Sequence, residues 1–330
     1  MRRRGGLLLA CLGVLVLVCL LSVAVGTRTI SPVVVLDALR HHGHPAEQSI
    51  VWDLRVPRTV LGLLAGVAFG LSGAVIQAVT RNPLADTQIL GVNSGAALFV
   101  VFAVGFLGRT RLEEYLWFGF GGVAVALALV YVLGSSGRGG GTPIRLALSG
   151  VALGAVLDGF STAIRLVKPR AFDYLRFWDI GSLAGRPMDV AVTILPFVVV
   201  GALLALAVAG ALNTVALGDD LARTLGTRLT WIRAAALLSV MMLAGAATAA
   251  VGPIGFLGLM IPLVVRRMAG PDQRWIFVFT IVCAPALLLL ADVAGRVLVR
   301  PGELRVGVVT AFLGAPVLIW WVRRLRSAAW

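Results

Sequence analysis

The sequence predicts an all-α protein that crosses a membrane about ten times. Hydrophobic residues make up 59% of the 330 residues and charged residues only 13%, with a mean hydropathy of +0.97. A soluble domain could not cover that much apolar surface with so few charges. Apolar runs long enough to cross a bilayer recur along the chain, and the arginines fall in short segments between them.

Ten apolar segments match a hydrocarbon core of about 30 Å. The eighth is too short for an upright span, follows Gly252-Pro253 and contains Pro262, so we expect a broken or partly inserted helix there. Together the spans form one transmembrane domain over residues 1–330. They are predicted at 6–26, 59–79, 88–107, 115–134, 144–166, 190–210, 232–251, 256–268, 275–298 and 306–322.

The first segment has two interpretations. Three arginines before an apolar run are typical of a signal peptide, cleaved near Ala24, or of an uncleaved first helix. We favour the uncleaved helix with its N-terminus in the cytoplasm, and an even number of spans then places both termini there. The inner loops hold 15 of the 29 basic residues. Since 14 remain outside, charge orients the chain weakly, and the outer arginines suggest docking of an acidic partner.

Residues 54–97 combine three patterns. Two arginines, Arg55 and Arg58, precede the second span. That span carries glycine every fourth residue, at Gly62, Gly66 and Gly70, a spacing that lets helix backbones pack closely in a membrane. The span ends at a polar segment, Arg81–Asp86, which contains Pro83. This segment is either a plain turn or a constriction at one end of a pore.

The segment 217–226 has the pattern of a short amphipathic helix on the cytoplasmic side. Two aspartates favour a helix N-terminus and a glycine favours its end. Leucines recur every four residues, so the helix needs an apolar surface to cover them. It either lies on the bilayer interface or fits a groove on a soluble partner. The segment comprises Leu217, Gly218, Asp219, Asp220, Leu221, Ala222, Arg223, Thr224, Leu225 and Gly226.

Asp158 is an isolated carboxylate within the fifth span. Such groups are costly in a membrane and usually face a cavity or a partner. A proton relay is the alternative, although the predicted spans contain no histidine or glutamate that would extend one.

Several function classes are excluded or disfavoured by the sequence. It contains no Gly-x-x-x-x-Gly-Lys-Ser/Thr loop, so the chain does not bind ATP in that way. No nucleophile–base set and no metal-ligand spacing stands out, and the three cysteines lie in apolar runs. The high pI of about 11.4 reflects arginines in loops between spans rather than a nucleic-acid site. The residues alone therefore indicate a transporter-like protein, neither an enzyme nor a nucleic-acid-binding protein.

Eight sequence pieces closely resemble the FecCD-type permease family, the membrane subunits of bacterial ABC importers for iron–siderophores, haem and cobalamin. The resemblance runs from about residue 31 to residue 324 and rests on the pieces in combination. They are LRVPR (54–58), GLSGAVIQAVTRNPLADTQILGVNSGAA (70–97), LSGVALGA (148–155), FWDIGSLAG (177–185), LGDDLARTLG (217–226), GPIGFLGLMIPLVVRRMAGPD (252–272), ADVAGR (291–296) and ELRVGVVTAFLGAPVLIWWVRR (303–324).

The resemblance implies a ten-helix permease of the large, type II kind in the bacterial inner membrane. Two permease subunits, identical or paralogous, would enclose a pore, with two cytoplasmic ATPases below and an extracytoplasmic binding protein above. ATP and Mg²⁺ would bind to the ATPases, and this chain would need no cofactor. By the same resemblance, Arg55, Arg58 and Arg296 would dock the binding protein, and residues 217–226 would form the coupling helix. Asn82 and Leu84 would lie near the cytoplasmic gate.

The sequence departs from the family pattern at three positions. Leu263 replaces a frequent histidine after Pro262, Asn93 replaces a frequent serine, and Asp158 stands where small or polar residues are usual. All three bear on the pore lining and therefore on the cargo. We expect a ferric siderophore, with haem or cobalamin as alternatives. An ion-coupled secondary transporter that uses Asp158 is the competing class.

Overall fold

A computed structural model describes residues 2–26, 49–136, 143–175, 178–224, 226 and 228–327. A π-helical segment, Ile50–Arg55, leads into the second α-helix, and a 3-10 helix, Thr87–Leu90, precedes the third. The described residues form twelve α-helices: α1 Arg2–Ala24, α2 Val56–Thr80, α3 Val92–Leu107, α4 Leu112–Ser135, α5 Pro143–Val167, α6 Pro169–Leu175, α7 Met188–Ala216, α8 Asp219–Thr224, α9 Leu229–Val251, α10 Leu257–Ala269, α11 Gln273–Leu298 and α12 Val306–Ser327.

Each of the ten predicted spans coincides with a helix, so the all-α membrane fold is confirmed. Seven helices in the described residues are long and apolar enough to cross a bilayer: α1, α2, α4, α5, α7, α9 and α11. The helices at the other three predicted spans, α3, α10 and α12, have shorter apolar segments. The apolar segments of α3 and α12 are Val92–Leu107 and Val306–Ile319. Helix α10 has 13 residues and contains Pro262. The broken character predicted for the eighth span therefore appears as a short helix.

The centre of the fold is α2, which packs against α7, α9, α10 and α11. Its glycines allow these contacts. A Cβ on Gly66 would lie 2.4 Å from Cα of Pro285 in α11, and one on Gly73 would lie 2.2 Å from the carbonyl oxygen of Gly258 in α10. No side chain fits at either position, and the predicted close helix packing is confirmed.

Two helices, α5 and α12, present apolar side chains outward from the fold. Leu148 and Phe160 of α5 are 65% and 60% exposed, and Phe312 of α12 is 77% exposed. Exposed apolar surface of this extent requires cover by lipid or by another protein. These two helices also flank the main cleft of the molecule.

Candidate functional site

A cleft of about 1070 Å³ opens between α5 and α12. It lies at the upper end of the ~300–1,000 Å³ range of small-molecule sites. The α12 wall is apolar and is formed by Val308, Ala311, Phe312, Ala315, Pro316 and Ile319. A cleft of this size and lining suits a bulky ligand that is held loosely.

The α5 wall is polar because about two helical turns place hydrophilic side chains on one face. Asp158, Ser161, Thr162 and Arg165 all line the cleft. Arg165 forms a bidentate ion pair with Asp179, with Nη1 to Oδ2 at 2.5 Å and Nη2 to Oδ1 at 3.1 Å. Arg165 is the cationic side chain among the described lining residues, and Asp179 neutralises its charge. Asp158 lies where a pore residue would, and its role in transport stays a prediction.

Phe256 forms the junction between the cleft and α10, and the sequence analysis did not single it out. It is a non-glycine residue with left-handed backbone, at φ 68° and ψ −24°, just before α10 begins. A Cβ on Gly314 of α12 would lie 2.4 Å from Cβ of Phe256, so the two residues are in direct contact. The available sequence signal was the glycine-rich break at 252–255 before a short helix.

Arg55 and Arg296 are buried at the end of the fold that is predicted to face outward, where they bind the C-terminus of α1. Nη1 of Arg55 donates to the carbonyls of Val23 and Ala24 at 2.9 and 2.7 Å. Nη1 of Arg296 donates to those of Ser22 and Val25 at 2.8 and 3.0 Å. The last carbonyls of a helix lack partners within it and carry partial negative charge, so guanidinium groups satisfy them well. With residue exposures of 5% and 2%, both arginines have a structural role.

Arg58 joins the same cluster from α2. Its Nη2 and Nε donate to Asp292 of α11 at 2.8 and 3.0 Å, and its Nη1 donates to Glu303 at 2.8 Å. Asp292 also accepts from Nε of Arg296 at 3.0 Å. We call Arg55, Arg58, Asp292, Arg296 and Glu303 the outer ion cluster. It brings the three predicted docking arginines together, and their docking role stays a prediction.

The sequence contained one signal for this cluster. Asp292 and Arg296 are four residues apart on a helix, a spacing at which opposite charges pair. The pairing of Asp292 with Arg58, which is 234 positions away, has no local signal.

On the opposite side, the predicted gate residues form a tight turn after α2. Oδ1 of Asn82 accepts from the backbone N–H of Leu84 at 3.0 Å, and the carbonyl of Asn82 accepts from N–H of Ala85 at 3.1 Å. The Leu84 side chain packs against an apolar cluster of Leu259, Met260 and Leu263 in α10. Asn82 thus shapes the turn, while Leu84 fastens it to α10. Their gating role stays a prediction.

The predicted coupling segment contains α8, with both aspartates in its first turn and Arg223 in its last. Ala222 is buried, whereas Leu217 and Leu221 are 61% and 48% exposed. Leu225 lies outside the described residues. Gly218 and Gly226 have positive φ values of 113° and 77°, as turns at both ends of a short helix require.

Asp219 connects α8 to the rest of the protein. It accepts from Nη2 of Arg81 at 2.7 Å and from Nη2 of Arg233 in α9 at 2.8 Å. These contacts hold α8 against the end of α2 and leave Leu217 and Leu221 exposed. The arrangement presents an apolar patch to a partner in the cytoplasmic direction predicted from the topology.

The FecCD transport family model matches residues 14–324 of this chain. The chain belongs to that family. The match includes the helices that form the cleft, the outer ion cluster and α8. FecCD proteins are transport components, in agreement with the prediction that this chain is not an enzyme.

Curated FecCD relatives resemble the chain over almost its full length. It is 47% identical over 311 residues to the ferric enterobactin transport system permease protein FepD of Escherichia coli strain K12, covering 94% of this chain and 92% of FepD. It is 38% identical over 310 residues to the Fe(3+)-citrate import system permease protein YfmD of Bacillus subtilis strain 168, covering 93% and 91%. The chain is therefore a multi-pass inner-membrane permease subunit of an ABC importer.

The FecCD fold also appears in a solved structure titled as an inward-facing conformation of a putative metal-chelate type ABC transporter. The two chains superpose with a TM-score of 0.85 over 97% of this chain and 99% of that one, at 24% sequence identity. This similarity supports the fold described above.

Proposed function

We propose that this chain is the permease of a ferric-siderophore importer and passes the intact iron chelate through the cleft between α5 and α12. The observation that carries the proposal is the cleft itself, which has an apolar wall, a polar wall and an internally paired arginine. Among the described lining residues the cation Arg165 is paired with Asp179, so an anionic ferric chelate meets no unpaired positive charge that would trap it. The 47% identity to a ferric enterobactin permease supports a siderophore as the cargo.

We further propose that two permease subunits meet along α5 and α12. These helices expose large apolar side chains beside the cleft, and a second permease subunit would cover them while completing the pore. The second subunit is either a copy of this chain or a paralogue. Both termini are cytoplasmic in this arrangement, with α8 on the cytoplasmic side and the outer ion cluster on the other.

At the outer side, we propose that a binding protein docks near Arg58 through its acidic residues. Among the three predicted docking arginines, Arg58 reaches the surface through Glu303, whose side chain is 32% exposed. A carboxylate of the binding protein would share or replace Glu303 as the partner of Arg58. Arg55 and Arg296 would support the docking surface by holding α1 and α11 together. Charges at the rim of an interface mainly set the rate and register of association.

At the inner side, we propose that Leu221 of α8 and Leu217, just before it, insert into a groove on a cytoplasmic ATPase. ATP and Mg²⁺ bind to that ATPase, and this chain carries no cofactor of its own. Closure of two ATPases moves the α8 helices and switches the pore between inward-open and outward-open states, with Asn82 and Leu84 near the inner gate.

Uptake of radiolabelled ferric chelates tests this function. A bacterial strain that lacks its own ferric-siderophore permease receives this gene with the cognate ATPase and binding protein. We expect uptake of a ferric tris-catecholate or ferric citrate, and none with an ATPase whose phosphate-loop lysine is replaced. Uptake of haem or cobalamin instead would overturn the siderophore assignment. Uptake that survives the ATPase change and is lost in Asp158→Asn would favour an ion-coupled transporter.

A further inference from the structure

Two non-glycine residues in the described part of the chain have left-handed backbone, Arg81 at φ 52° and Phe256 at φ 68°. This conformation is strained for a residue with a side chain, so surrounding contacts must hold it. Arg81 follows α2 and Phe256 precedes α10, yet one continuous set of contacts joins them. That set begins at α8 and ends at the cleft.

The first contact is the ion pair between Arg81 and Asp219 of α8, at 2.7 Å. The side chains are 32% and 24% exposed. Ion pairs that are this exposed to solvent stabilise a fold only slightly. The pair therefore orients Arg81 toward α8 while contributing little to the stability of the fold.

The second element is the turn between Arg81 and Asp86. Its two internal hydrogen bonds, from Leu84 N–H to Asn82 Oδ1 and from Ala85 N–H to the Asn82 carbonyl, close it within four residues. Leu84 is packed against α10. A short turn that is hydrogen-bonded and packed in this way moves as one unit, so a displacement of Arg81 reaches Asp86.

The third contact joins Asp86 to the start of α10. Asp86 Oδ1 accepts from the backbone N–H and the hydroxyl of Thr87 at 2.7 and 3.3 Å. A Cβ on Gly258 would lie 3.2 Å from Asp86 Oδ1, which places the carboxylate directly over the first turn of α10. Asp86 thus contacts the helix turn that Phe256 immediately precedes.

We propose that Arg81 and Asp86 are positioning residues that transmit the movement of α8 to Phe256 and so change the shape of the cleft during each transport cycle. The proposal rests on the role of α8 proposed above. A pull on Asp219 moves Arg81, the turn carries Asp86 with it, and the first turn of α10 follows together with Phe256 directly before it. Because Phe256 contacts Gly314, the α12 wall must adjust to that displacement.

A purely structural role for the same contacts makes a different prediction. Loss of a structural contact lowers the stability of the permease but leaves the amount of cargo moved per ATP hydrolysed unchanged. Loss of a transmitting contact leaves the ATPase active and lowers that ratio. The ratio therefore separates the two roles.

The experiment uses the complete importer, with its ATPase and binding protein, in proteoliposomes. Asp86→Ala removes the side chain that contacts the first turn of α10, whereas Asp86→Asn keeps its size and an acceptor oxygen for Thr87. Arg81→Ala removes the ion pair to α8, whereas Arg81→Lys keeps the charge. Asp272→Ala is the matched control, since Asp272 also accepts a backbone N–H at a helix start and lies outside this path.

We expect Asp86→Ala and Arg81→Ala to lower the ratio of cargo to ATP by about tenfold, within the usual range of allosteric coupling, while ATP hydrolysis continues. Asp86→Asn, Arg81→Lys and Asp272→Ala should stay within about twofold of the unmodified importer. The double variant should lose no more than either single variant, because two steps of one path are not additive.

The proposal is overturned if either alanine variant keeps the original ratio, or if the two losses multiply. Should Asp86→Ala fail to fold, Arg81→Ala decides alone, because its ion pair is partly exposed. Failure of the unmodified permease to retain its ATPase would instead contradict the role of α8.

Thiol labelling gives an independent readout of the cleft. In a variant with Cys11, Cys19 and Cys283 replaced by serine, Ala315→Cys places a single thiol on the α12 wall. Its modification rate should change when a non-hydrolysable ATP analogue is added. We expect that change to disappear with Asp86→Ala, and a change that persists unaltered would also contradict the proposal.

Discussion

The Arg58–Asp292 pair of the outer ion cluster and the Arg81–Asp219 pair each join an arginine to an aspartate. Their distances are nearly the same, but their surroundings are very different. Arg58 and Asp292 meet at 2.8 Å with side-chain exposures of 12% and 1%. Arg81 and Asp219 meet at 2.7 Å with exposures of 32% and 24%. Breaking a buried pair leaves an uncompensated charge, whereas water solvates the remaining member of an exposed pair. The comparison shows that burial, rather than geometry, separates a contact that fixes the fold from one that can be exchanged during transport.

The largest effect is expected from Asp292→Ala, because it leaves Arg58 and Arg296 together without their shared carboxylate. Removing one partner from a buried ion pair costs about 3–5 kcal/mol. Thermal unfolding of the detergent-solubilised permease measures the loss. Asp158→Ala, at an exposed position in the cleft, is the control and should unfold as the original chain does. Equal unfolding temperatures for the two variants would show that the outer cluster does not stabilise the fold.

Gly66→Ala tests the packing that surrounds the outer cluster. The added Cβ would lie 2.4 Å from the Pro285 backbone, so α2 and α11 would have to separate, at a cost of about 1–3 kcal/mol. Gly121→Ala in α4 is the matched control, since no atom lies within 4 Å of its added Cβ. In the same assay, the unfolding temperature of Gly66→Ala should lie well below that of Gly121→Ala. The reverse order would contradict the close packing of α2 against α11.

A smaller effect, about 1 kcal/mol, is expected from Asp272→Ala at the start of α11. The hydrogen bond from Asn213 at 2.8 Å and that from the Arg274 N–H hold the pKa of the Asp272 carboxyl below its ordinary value. A lowered folded pKa means that the cap stabilises above the unfolded pKa of about 3.9 and is lost as the pH falls through the folded value. The difference between the unfolding temperatures at pH 7 and at about pH 3 should therefore be larger for the original chain than for Asp272→Ala.

The smallest effect on stability is expected from Arg81→Ala, within about 1 kcal/mol of the original chain. Its effect on the ratio of cargo to ATP is nevertheless expected to be large. This combination would mark the inner pair as an exchangeable contact. An unfolding temperature as low as that of Asp292→Ala would remove the distinction between the two regions.

Much of the fold was predictable from sequence because its signals are local. Runs of apolar residues located ten of the twelve described α-helices, and the glycines every four residues in α2 predicted its close packing. The same holds for α8, where the aspartates in its first turn and Gly226 after it lie within ten residues of each other. Periodicity and end signals of this kind need no knowledge of distant parts of the chain.

The site was less predictable because its decisive contacts are distant in sequence. Arg58 and Arg296 were interpreted as docking residues, and the sequence gives no sign that both bind Asp292. Arg165 and Asp179 pair across a helix end, and the first turn of α10 contacts the Asp86 carboxylate, which lies far away in the sequence. In each case a side chain's partner, rather than its own identity, determines what it does.

Hydrogen–deuterium exchange of the complete importer, with and without a non-hydrolysable ATP analogue, tests the division between the two regions most directly. The backbone amides of residues 20–26 and 292–300, at the outer ion cluster, should exchange slowly and equally in both states. Those of residues 81–91, 217–228 and 252–258, along the path from α8 to the cleft, should change their exchange rates when the analogue binds. Unchanged exchange along that path, or a change confined to the outer cluster, would contradict the account.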